Sequence, residues 1–92
     1  MNKVDRDKHL AGEYRAGEEA KEVTEHPLFK GAILTYKAML FESFTLSSTT
    51  DTEKRENIYR QMKALDSVEA NLIELVETGK LALDELNITE IK

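Results

Sequence analysis

The chain has 92 residues, no cysteine, one proline and a formal charge of −5, from 18 acidic against 13 basic residues. That length makes one small domain whose own core is marginal and which nothing staples covalently. Disulfides and thiolate metal sites are excluded, no apolar run approaches the roughly twenty residues that a membrane span needs, and no segment is basic enough to displace counterions along a duplex.

The opening 26 residues are charged throughout and contain no apolar segment of the kind a signal peptide needs, which points to a cytosolic origin. Leu10, Tyr14 and Val23 are the large apolar residues after Val4, and Gly12 and Gly17 lower helix propensity by about 1 kcal/mol each. Residues 1–26 therefore read as a charged arm or weak helix, frayed or held by a partner.

Pro27 is favoured at the first position of a helix and drives His26 out of helical geometry. "PLFKGAILTYKAMLFESF" carries Phe29, Ile33, Tyr36, Leu40 and Phe44 at spacings of three and four, which predicts a helix over about 27–45. Gly31 lies near this bulky face and suits the close approach of another backbone. "TLSSTTDT" then predicts a loop, because hydroxyl and β-branched side chains in series favour non-helical backbone. Thr50 with Glu53 has capping-box spacing and Asp51 is the competing cap. From residue 52, Ile58, Met62, Leu65, Val68, Leu72 and then Leu75 or Val76 form an apolar stripe that predicts the longest helix, to about residue 78.

"TGK" at 78–80 raises the question of a phosphate-binding loop. The position five before Gly79 is Glu74, Leu81 follows Lys80 where a hydroxyl is needed, and a helix precedes the run instead of a strand. Gly79 reads instead as a left-handed helix stop, with Lys80 beside the free carbonyls. Beyond it, Leu81, Leu83, Leu86, Ile88 and Ile91 are too many large apolar groups for a free tail. They either fold back over the hairpin or dock on another subunit or protein. We assign residues 80–92 as a docking segment, an amphipathic element lying in a groove, with these five residues as its partner-binding set.

No catalytic constellation emerges. His9 and His26 stand in no metal-ligand spacing, and no cofactor or metal is implied. Glu18, Glu19, Glu22 and Glu25 read as a solvated helix face, and Ser43, Ser47 and Ser48 have no neighbouring histidine to activate them. Lys54, Arg55, Arg60 and Lys63, the closest thing to a basic patch, are interspersed with Asp51, Glu53, Glu56 and Asp66. Tyr14, Phe29, Tyr36, Phe41, Phe44 and Tyr59 fall on or beside the helix stripes and are expected in the core.

Residues 26–82, through "HPLFKGAILTYKAMLFESF", the hydroxyl-rich break, "RENIYRQMKALDSVEANL" and "ETGKLA", resemble a group of short helical proteins of tailed bacteriophages and prophages encoded near head-assembly genes. The resemblance implies a virion structural or assembly role, in the host cytoplasm and the virion, with no catalytic residues.

The expected fold is all-α: an antiparallel helical hairpin over 27–79, with a weaker N-terminal helix and a short C-terminal segment. The expected function is that of a non-enzymatic protein–protein interaction module, a homo-oligomer or the partner of another structural protein, with neither membrane nor nucleic acid as its target. The alternatives are an acidic regulator of a nucleic-acid enzyme, which needs a dense one-sided acidic surface, and a small DNA-packaging factor, supported by the positive charge at 54–63.

Overall fold

The computed structural model describes the backbone of residues 2–91 and the side chains as far as Asn87. Three helices account for almost all of it: α1 (Lys3–Glu25), α2 (Pro27–Leu46) and α3 (Thr52–Ile91). Each boundary has a local cause. The Asn2 side chain accepts the Asp5 N–H at 2.8 Å and caps α1. His26 is extended (φ −68°, ψ 129°), as the following proline requires, and its Nδ1 accepts the Leu28 N–H at 3.1 Å. One residue thus ends α1 and caps α2. At the other end of α2 the Ser47 hydroxyl and N–H both donate to the Phe44 carbonyl, at 2.6 and 3.1 Å. Asp51 is the cap of α3, its Oδ1 accepting the Lys54 N–H at 3.2 Å, while the Thr50 hydroxyl bonds to Ser48.

The hairpin is longer than the sequence suggests. α3 is one arm, 40 residues and roughly 60 Å of helix at about 1.5 Å per residue. α1 and α2 follow each other along the opposite arm. α2 lies antiparallel to the first half of α3: Phe44, near the end of α2, meets Arg55, near the start of α3, while Lys37, earlier in α2, reaches Glu69, later in α3. α1 lies antiparallel to the second half, with Gly17 against Gly79 and Arg6 paired to Glu85 at 3.2 Å. The Cα extents are 64 × 28 × 14 Å.

Two expectations are corrected here. Gly79 is not a helix stop: no described glycine has positive φ, and α3 continues through Lys80 to Ile91. Nor is α1 the weaker partner; it makes the closest packing in the molecule. One arrangement explains both. A Cβ built on Gly17 would lie 2.8 Å from the Leu75 carbonyl oxygen and 2.9 Å from the Gly79 Cα. A Cβ on Gly79 would lie 2.9 Å from the Gly17 Cα and 3.1 Å from the Glu13 carbonyl oxygen. The glycines weaken each helix alone but let the two backbones touch. Ala20 and Ala82, each three residues beyond its glycine, are buried in the same seam together with Leu10.

The α2–α3 half is built from large side chains. Leu40 and Ile58 are buried, and Phe29, Ile33, Met62, Leu65 and Leu72 are half-buried. Tyr36 stays exposed, donating its hydroxyl to Gln61 Oε1 at 2.7 Å. The expectation of a buried aromatic set is also corrected: Phe41 and Tyr59 lie on the surface and Phe44 at its edge. Two helices side by side share one seam, and a stripe wider than that seam must remain outside it.

The glycines should respond in opposite senses to a methyl group. Gly79→Ala forces backbone from backbone and should cost about 1–3 kcal/mol. At Gly12 a Cβ meets nothing within 4 Å, so Gly12→Ala should gain about 0.5–1 kcal/mol. Urea titration of both variants checks this; equal shifts would refute the crossing.

Candidate interaction surface

α2 has three charged residues, Lys30, Lys37 and Glu42, among 20. The rest of its circumference is apolar or small, a composition suited to a helix covered on all sides. The apolar stripe that meets α3 is that of Phe29, Ile33, Tyr36, Leu40 and Phe44, with Lys37 beside it reaching Glu69 and Asp66. A second stripe, Leu28, Ala32, Thr35 and Met39, follows spacings of four, three and four, continues through Glu42 to Leu46, and is open, with Leu28 78% and Leu46 77% exposed. A third, Leu34, Ala38, Phe41 and Thr45, is also open, Leu34 being 69% exposed. No described side chain in the protein is less than 2% exposed.

Two grooves border α2. One, about 480 Å³, runs along Leu28, Gly31, Ala32, Thr35 and Met39 and has no charged residue in its lining. The other, about 350 Å³, lies between Phe29, Ile33, Leu34 and Ile73 and is edged by Lys30, Lys37 and Glu69. There the Lys37 ammonium sits 2.6 Å from Glu69 and 3.5 Å from Asp66. The hydrogen bond to Glu69 holds its pKa above the usual 10.5; desolvation opposes this, and the charges of Glu69 and Asp66 add to it. A raised lysine favours the fold at neutral pH, and its contribution is lost only as pH climbs through the raised value. Within the physiological range this pair is therefore a constant feature of the groove.

The five tail residues divide. Leu83 and Leu86 are half-buried and flank the buried Ala82, in the half of α3 that packs on α1. Leu81 is 65% exposed. The side chains of Ile88 and Ile91 lie outside the described residues. This part of α3 thus belongs to the α1 seam, and Leu81 is the described member of the set that is open to a partner. Leu28, Ala32 and Met39, which widen the apolar stripe of α2 in the sequence, are not covered by α3 and stand exposed; the sequence signal for such an open face is the low charge of α2, three charged residues in 20.

Other chemistry finds little support in the geometry. Arg55 lies over the Phe44 ring at 4.3 Å, Lys63 over Tyr59 at 5.6 Å, and Arg60 pairs with Glu56 at 3.6 Å, so three of the four cations of the 54–63 stretch are engaged within the chain. His9 pairs with Glu13, and His26 is a cap. Among the described residues no group of three or more His, Asp or Glu is placed to hold a metal ion, and no helix is long and apolar enough to cross a membrane. Compared with known protein families, characterised proteins and solved structures, the chain matches none.

Deleting residues 81–92 removes Ala82, Leu83 and Leu86 from beside α1. Circular dichroism should then show loss of more helix than the deleted residues contain, while hydrogen exchange keeps protection around Leu40 and Ile58. A loss confined to the deleted residues would mean that α1 stands without them. Duplex DNA should bind no tighter than about 10 µM at physiological salt; submicromolar binding with a steep salt slope would revive the packaging reading.

Proposed function

We propose that this chain works without chemistry of its own, as a helical interaction subunit that is completed by assembly. The observation that carries the reading is α2, a largely apolar helix of which one stripe is covered. Large apolar patches on a small protein mark contact surfaces. Its accessible surface points the same way: 7124 Å² for a 10.5 kDa chain, where compact monomers of that mass expose about 5,400 Å².

The resemblance of residues 26–82 to short helical phage proteins gives the setting: a structural or assembly component of a tailed-phage particle, acting in the host cytoplasm and carried into the virion. A long thin hairpin that contributes one layer of helix to a larger body suits that role. The acidic-regulator alternative has less to stand on, since Lys37, Arg6 and Arg60 neutralise carboxylates on several sides of the rod.

The test is native mass measurement of the chain in extracts of its source culture and in particles purified from it. The expected result is a complex of defined stoichiometry, with the chain in the particles at fixed copy number. A freely diffusing 10.5 kDa species, absent from particles, would overturn the reading.

A further inference from the structure

We draw no further inference here: the strongest candidate, the open apolar face of α2 with its uncharged groove along Leu28, Gly31, Ala32, Thr35 and Met39, carries none because nothing in the structure shows what covers it.

Discussion

The backbone contact between Gly17 and Gly79 is the constraint around which the rest of the hairpin is arranged. With no Cβ on either side, the Gly17 Cα comes within 2.9 Å of where a Gly79 Cβ would be. Dispersion attraction falls steeply with separation, so two backbones in contact gain many small terms at once. The same approach brings Ala20, Ala82 and Leu10 into a seam tight enough to bury them. It also explains the length of α3. A helix that stopped at Gly79 would leave α1 with nothing to lie against over its first dozen residues, and Leu83 and Leu86 with nowhere to pack.

The other half of the rod follows a different rule. Phe29, Ile33, Tyr36, Leu40 and Phe44 hold α2 further from α3, and the seam between them buries Leu40 and Ile58 and leaves their neighbours half open. Polar bonds rim that seam: Tyr36 to Gln61, Lys37 to Glu69 and Asp66, Arg55 over Phe44. Exposed pairs of this kind contribute roughly 0–1 kcal/mol each. They fix register more than they supply stability. The chain therefore has one end closed by backbone packing and one end that is apolar, loosely seamed and incomplete.

Much of this was legible in the residues. Pro27 and His26 marked the α1–α2 junction, the hydroxyl run marked the turn, and periodic stripes gave both long helices. The role of Gly79 was not legible, because a glycine after an apolar stripe signals a stop only if the chain adopts positive φ there. Whether it does is decided by Gly17, far away in sequence, and by the apolar residues beyond. Gly12 and Gly17 looked alike as helix weakeners; one faces open space and the other the α3 backbone, a distinction that exists only once the partner helix is placed. The aromatic residues failed for a related reason. Periodicity shows that a side of a helix is apolar, but not whether the single chain has a partner for it.

Ordering a residue costs about 1.5 kcal/mol in conformational entropy, and a two-helix layer repays it along one seam only. The α1–α3 seam is dense because glycine and alanine permit it. The α2 end cannot use that solution, since its side chains are large, so it gains most from a further layer of helix laid over them. The extended His26 interrupts the helical backbone bond pattern between α1 and α2, so the two halves of this arm are separate helices. Covering α2 would therefore stabilise the loosely seamed half of the rod specifically. Folding and assembly would be coupled at that end, while the α1 end holds its form in the single chain.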